Sequence, residues 1–314
     1  MNNLFLDKSE NTRKERIRFL TKIGVIDLNN YDVLNNIKNI FDTYILDSKS
    51  YGTQKTRLFH IIEFLKLTNN DNLLEKYKKN SQSIILQAKD NEKSNTTSKQ
   101  DIYIKLEDLQ KKLLTYQPDI ITVKKFERLK YNEQISYINK LQDYILISLY
   151  TFTPAIRNNY WTINVINYKK DIDINSNLNY MIWNQAHVYL YLQNYKNSKS
   201  LGSIRIDIDK ITQKFIKLYL KLLESLLNEK PKHFLYHISL KKIEPAKENA
   251  TKYKITDLSE KYFNKSYTIN DFRHMWEVYI QNSEDYKTMT YKQKEKLHNK
   301  LLHSIDTALK YNII

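Results

Sequence analysis

A chain of 314 residues, 41% apolar and 27% charged, is long enough to bury one large core or two modest ones and too apolar to be a disordered polymer. Its 51 Lys and Arg against 35 Asp and Glu leave a net charge of +16 and a pI near 9.5. That excess asks for an anionic partner, nucleic acid first, because phosphate contacts dominate its binding; AT-rich codon usage, which enriches Asn, Lys, Ile and Tyr, would give the same bias. With no Cys and only Gly24, Gly52 and Gly202, disulfides, thiolate metal sites, cysteine nucleophiles and the glycine loops that cradle nucleotide phosphates are excluded.

The first part of the chain reads as four short helices with basic faces. "TRKERIRFLTKIGVI" repeats Ile17, Leu20 and Ile23; "YDVLNNIKNIFDTYI" repeats Val33, Ile37, Ile40, Phe41 and Tyr44. "GTQKTRLFHIIEFLKL" carries Leu58, Ile61, Ile62 and Leu65 behind Thr53 as N-cap, and "DNLLEKYKKNSQSIILQAK" follows. "KDNEKSNTTSKQ" is polar without periodicity and reads as a linker over about 89–100. The expected division is a helical domain over 1–98 and a second domain over 99–314.

The second part is mixed. "IYIKLEDLQKKLLTY" and "NEQISYINKLQDYILISLYTF" are helical, the latter buried through Ile135, Ile138, Leu141, Ile145 and Leu149. "WTINVINY", "NYMIWNQ", "HVYLYLQ" and "SIRIDI" are β-branched or aromatic and read as strands. "NYKNSKSLG" between the last two is a hairpin loop. Helix returns at "DKITQKFIKLYLKLLESLLN", and the remainder reads as helical, including "TINDFRHMWEVYIQ" and "TYKQKEKLHNKLLHSIDTALKY". The expected fold is mainly α with a small antiparallel β-sheet. The seven histidines form no HExxH, so no metal is expected. No apolar run approaches the roughly 18 residues of a membrane span, and "MNNLFLDKSENTRKERIRFL" has no signal-peptide core. An intracellular, soluble protein is expected.

Four stretches carry side chains suited to chemistry. In "TPAIRNNYW", Pro154 ends the buried helix and leaves Arg157 beside a core element, either rigidly held or merely on the surface. The hairpin loop offers Lys196 and Lys199, solvated lysines or mobile proton donors. In "INDFRHMW", Arg273 flanks the buried face of Ile269, Phe272 and Trp276, where a guanidinium needs an anion or a paired acid such as Asp271 or Glu277. In "LLHSIDTALKYNII", His303 and Tyr311 lie about two helical turns apart.

The order of these pieces, an Arg, a hairpin Lys, an "xxRH" helix, then "HS" and a late Tyr, resembles the tyrosine recombinase family of the phage-integrase type. The resemblance covers most of the chain. "GTQKTRLFHIIEFLKL" is similar to a helix of that family's core-binding domain, "IKLEDLQKKLL" to the start of its catalytic domain, and "LLHSIDTALKY" to its terminal "GHSxxxTxxxY" box. "LYTFTPAIRNNYW" resembles the version in recombinase-like proteins of large DNA viruses and their mobile elements. The resemblance implies an N-terminal helical core-binding domain, an α+β catalytic domain, and site-specific recombination or integration through a covalent phosphotyrosine. Tyr311 would be the nucleophile, Arg157 and Arg273 the clamp on the non-bridging oxygens, Lys196 rather than Lys199 the proton donor to the leaving oxygen, and His303 a hydrogen-bond donor to the phosphate. Neither metal nor nucleotide cofactor is implied. The partners would be double-stranded DNA and three further copies in a tetramer on paired sites, in a host nucleus or cytoplasmic viral factory if the source is viral. Three departures stand out: Asn270 occupies a position usually filled by His, "TPAIR" replaces "TGLR", and Tyr311 comes one residue early, where Asn312 would be expected. Relatives often continue into a helix that docks on a neighbour, whereas this sequence ends at Ile314. A type IB topoisomerase-like nicking and closing enzyme and an inactive DNA-binding protein of the same fold are the alternatives.

Overall fold

The computed structural model describes residues 4–8, 10–100, 105–157, 160, 163–184, 186–247 and 250–302. They fall into two compact units, Met1–Ile102 and Tyr103–Ile314.

The first unit is all helical. α1 (Glu10–Lys22) stops at Gly24, whose φ of +90° suits a residue without a β-carbon. There the Val25 N–H reaches back to the Leu20 carbonyl at 3.0 Å. The helix expected over 31–45 is broken instead. A 3-10 turn (Asp32–Asn35), α2 (Ile37–Ile40) and a π turn (Phe41–Ile45) replace it, because the Asn36 side chain accepts from the Asn39 N–H and starts a new helix. α3 (Tyr51–Leu65) is capped by Ser50, which accepts from the Thr53 N–H; Thr53 is therefore inside the helix rather than its cap. α4 runs from Asp71 to Gln100, so 89–100, read as a linker, is helical: Lys, Glu and Gln are good helix formers even without an apolar stripe. Leu20, Leu34, Ile40, Ile61, Phe64 and Tyr77 form the core, and the Tyr77 hydroxyl donates to the Leu34 carbonyl at 3.0 Å.

The second unit begins with α5 (Leu106–Leu114), α6 (Val123–Glu127) and the long α7 (Tyr131–Phe152). α7 ends two residues before Pro154, as proline's restriction on its predecessor requires. β1 (Ile163–Ile166), β2 (Asn179–Trp183), β3 (Val188–Leu192) and β4 (Ile204–Asp207) form one sheet in that order. A one-turn helix, α8 (Ser198–Leu201), sits in the β3–β4 loop. β2, β3 and β4 are antiparallel as expected, but β1 pairs with β2 in parallel, so the sheet is mixed. Side-chain alternation marks a strand without marking its direction. The short crossover between β1 and β2 is held by side chains: Gln193 Nε2 donates to the carbonyls of Asp173 and Ser176 at 2.8 and 2.7 Å.

α9 (Lys210–Leu227) follows, capped by Asp209. The stretch after it, expected as helix, contains a hairpin of β5 (Tyr236–Ile238) and β6 (Ile243–Pro245). Three-residue strands are too short to show a period. The hairpin is held on α7 by two amide side chains: Asn139 Nδ2 donates to the Ile238 carbonyl, and Gln142 Nε2 to the Tyr236 carbonyl, each at 3.0 Å. α10 (Ala250–Phe263), α11 (Ile269–Gln281), α12 (Glu284–Thr288) and α13 (Tyr291–Asn299) complete the described chain. The helix expected over 290–311 ends early; Leu302 has φ of +57°, which an α-helix does not allow.

The core is rich in buried tyrosines, which gives an alkaline limit. Burial pushes the Tyr144 and Tyr262 hydroxyls up to about 12 and those of Tyr150 and Tyr219 well above the usual range. Their folded pKa lies above the unfolded value of roughly 10, so the stabilisation is complete below about pH 10 and is lost as pH rises toward 12. Each such group removes about 1.4 kcal/mol per pH unit in that window. Denaturant midpoints measured from pH 8 to 11 should hold below pH 9.5 and fall above it. A flat profile would show that these hydroxyls ionise in the folded state.

Candidate active site

The end of α7 organises the site. The last four carbonyls of a helix lack intrahelical donors, and Pro154 prevents the chain from supplying them. Side chains from distant segments fill the gap. Trp276 Nε1 donates to the Tyr150 carbonyl at 2.8 Å, and Gln110 Nε2 to the Thr151 carbonyl at 3.0 Å. Just beyond the helix, Arg273 Nη1 donates to the Ala155 carbonyl at 3.1 Å. The Thr153 hydroxyl lies 3.3 Å from Asp209 Oδ2, at the cap of α9. The segment 150–157 is thereby pinned to α5, α9 and α11.

Arg157 leaves this pinned segment behind the buried Ala155 and Ile156. It is half-buried, and its Nε is buried with no hydrogen-bond partner among the described residues. Arg273 is only 2% exposed. Its bond to Ala155 places the guanidinium two residues from Arg157 along the chain. It also lies beside Tyr150, whose hydroxyl is raised by burial and by Tyr160, with Arg273 opposing both. Arg273, far away in sequence, thus bonds the short stretch of backbone that carries Arg157.

α11 itself starts at a capping box. Thr268 accepts from the Asp271 N–H, and the Asp271 carboxylate accepts from the Thr268 N–H at 2.8 Å. Asn270, in the first turn, is exposed.

The β3–β4 loop carries the lysines. Lys196 and Lys199 are both exposed; Lys196 stands at the loop's corner and Lys199 lies within α8. The Tyr195 hydroxyl closes the loop by donating to the Gly202 carbonyl at 2.6 Å. Asn197, next to Lys196, donates through Nδ2 to the Leu302 carbonyl at 3.2 Å. Leu301 and Leu302 are fully buried. The lysine loop is therefore tied to the residue that precedes His303. His303 and Tyr311 lie outside the described residues.

Sequence reasoning missed Asn197 and Gln110, and placed Trp276 on a buried face without its role as a donor. All three act on backbone carbonyls, which leave no mark in a side-chain pattern. Pro154 was the one available signal that orphan carbonyls needed donors. Among the described residues, no group of three or more His, Cys, Asp or Glu side chains is placed to hold a metal ion. No helix among them is long and apolar enough to cross a membrane.

The described residues offer one buried and one half-buried guanidinium, and an exposed lysine in a loop bonded to Leu302. Side chains of these types can bind a phosphate anion and donate a proton. No family model matches the chain, and no curated protein matches it. Among solved structures, one titled as the crystal structure of XerA recombinase is similar over 98% of this chain and 89% of that chain, with 14% identity and a TM-score of 0.36.

Proposed function

We propose that the chain is a tyrosine recombinase that breaks and rejoins double-stranded DNA at specific sites. The observation that carries the proposal is the bond from Arg273 to the Ala155 carbonyl. It ties Arg273 to the segment that carries Arg157, which supports a reading in which both arginines serve one phosphate.

In this reading the Tyr311 hydroxyl gives up its proton to water and its oxygen bonds to phosphorus while the bond to the 5′ oxygen breaks. Lys196 protonates that oxygen as it leaves, giving a phosphotyrosyl link on one strand end and a free 5′ hydroxyl on the other. Arg157 and Arg273 neutralise the non-bridging oxygens, where charge accumulates in the transition state. His303 adds a hydrogen bond, and Asn270 supplies an uncharged donor near the same phosphate. A phosphodiester is exchanged for a phosphotyrosyl ester and back again, so no external energy source is needed. Exchange between two sites calls for four copies on paired DNA. The wording of "LYTFTPAIRNNYW" extends the proposal to a viral or mobile-element enzyme.

A nicked suicide duplex tests this. Wild-type protein is expected to leave a covalent protein–DNA band on a denaturing gel, and Tyr311→Phe none. A band that persists in Tyr311→Phe refutes the nucleophile. DNA binding without any band in the wild type leaves only a binding protein. The charge also predicts affinity that falls steeply between 50 and 200 mM salt, by about a thousandfold if six phosphates are neutralised.

A further inference from the structure

Three side chains in the second unit form a buried polar cluster that the mechanism above does not use. Glu277 and His298 are each fully buried, with Nδ1 of the ring 2.8 Å from the Glu277 Oε2. The two atoms meet at contact distance without the geometry of a hydrogen bond. On the other side, His298 Nε2 lies 2.8 Å from the Tyr286 hydroxyl, and the two rings meet edge to face at 5.5 Å. Lys294 places its ammonium 4.6 Å from the centre of the Tyr286 ring.

We propose that Glu277, His298 and Tyr286 are positioning residues that couple the arginine helix to the segment delivering the nucleophile. The inference rests on the recombinase reading above. Glu277 is one turn beyond Arg273 on α11, about 6 Å along the axis. Tyr286 lies on α12, and His298 in the last turn of α13. Four residues after His298 comes Leu302, whose carbonyl is held by Asn197 of the lysine loop. The cluster therefore ties the helix that carries Arg273 to the end of α13, from which the chain runs on to Leu302 and its bond with the lysine loop.

Its chemistry argues for position rather than bulk stability. Taking a carboxylate and an imidazole out of water is costly, and an apolar trio of the same volume would pack these helices at least as well. What an apolar trio lacks is direction. The imidazole must face a carboxylate on one edge and a hydroxyl on the other, which fixes the rotation of α13 about its axis. That rotation sets where Leu301 and Leu302 leave the helix, the last described residues before His303 in sequence. Burial and the nearby Glu277 both raise the Tyr286 hydroxyl, consistent with a neutral phenol held against the pair.

The test separates DNA affinity from cleavage. His298→Phe keeps a ring but loses both polar edges; His298→Gln keeps a donor and an acceptor; Tyr286→Phe removes one hydroxyl. His298→Phe is expected to slow covalent-complex formation on the nicked duplex by on the order of 100-fold, the cost of an ångström-scale misplacement. DNA affinity should change less than about threefold, and His298→Gln should recover most of the rate. Tyr286→Phe should fall between them. Wild-type rates in both His298→Phe and Tyr286→Phe overturn the proposal. So does equal loss in His298→Gln and His298→Phe at matched melting temperature, since a polar edge would then be irrelevant. If the wild type forms no covalent complex at all, the recombinase reading fails by itself. Amide exchange then tests the network alone: His298→Phe should speed exchange at Leu301 and Leu302, whose N–H groups bond to the His298 and Asn299 carbonyls. Unchanged exchange there overturns it.

Discussion

Arg273→Ala is expected to lower the rate of covalent-complex formation by about 10²–10³, the typical effect of removing one preorganised transition-state donor. DNA affinity should fall less than about tenfold, because the many other lysines still neutralise phosphates. The reason lies in where the guanidinium sits. It is nearly fully buried and donates one N–H to the Ala155 carbonyl, so its position is fixed by the fold rather than by solvent. Arg273→Lys keeps the charge but not the fork. A single ammonium on a flexible stem serves either Ala155 or the phosphate well, and not both. Its rate should lie between the wild type and Arg273→Ala. Leaving the Ala155 carbonyl unpaired also destabilises the unit by about 1–3 kcal/mol. Melting curves must therefore accompany the rates. Single-turnover cleavage of the nicked duplex is the measurement, and a rate for Arg273→Ala within threefold of wild type would sink the clamp.

Much of this organisation is legible in the sequence, for identifiable reasons. The four strands of the mixed sheet show because β-branched and aromatic residues cluster in runs bounded by turn residues. α7 and α9 show because long amphipathic stripes repeat over several turns. Other features are hidden for equally definite reasons. Asn36 looks like one polar residue within a periodic helix, yet its side chain competes for the backbone and breaks that helix. Leu302 has no sequence mark of its left-handed backbone, because tertiary contacts at Asn197 impose it. In the site, arginine and lysine can be picked out by type and order, whereas the links between them run through backbone carbonyls. The cluster of Glu277, Tyr286 and His298 draws one residue from each of three helices, so no spacing along the chain announces it.

Trp276→Ala is expected to lower the melting temperature by on the order of 10 °C and to reduce cleavage at temperatures where the protein remains folded. Removing a buried tryptophan costs about 3–5 kcal/mol, and a unit of about 200 residues loses roughly 2–4 °C per kcal/mol. The indole also serves the Tyr150 carbonyl, one of the orphan groups at the end of α7. Trp276→Phe separates the two contributions: it keeps most of the apolar volume and removes only the donor, so it should cost about 1–3 kcal/mol. Phe272 and Trp276 flank Arg273 on the buried face of α11, and Phe272 packs 5.9 Å from the Tyr150 ring. Both thus set the register of α11 against α7, and Arg273 reaches Ala155 only in that register. If register matters, Trp276→Phe will slow cleavage by a larger factor than its small melting shift can explain. If it slows cleavage no more than the unfolded fraction predicts, the tryptophan is packing alone, and the aim of Arg273 is set by its own bond to the backbone.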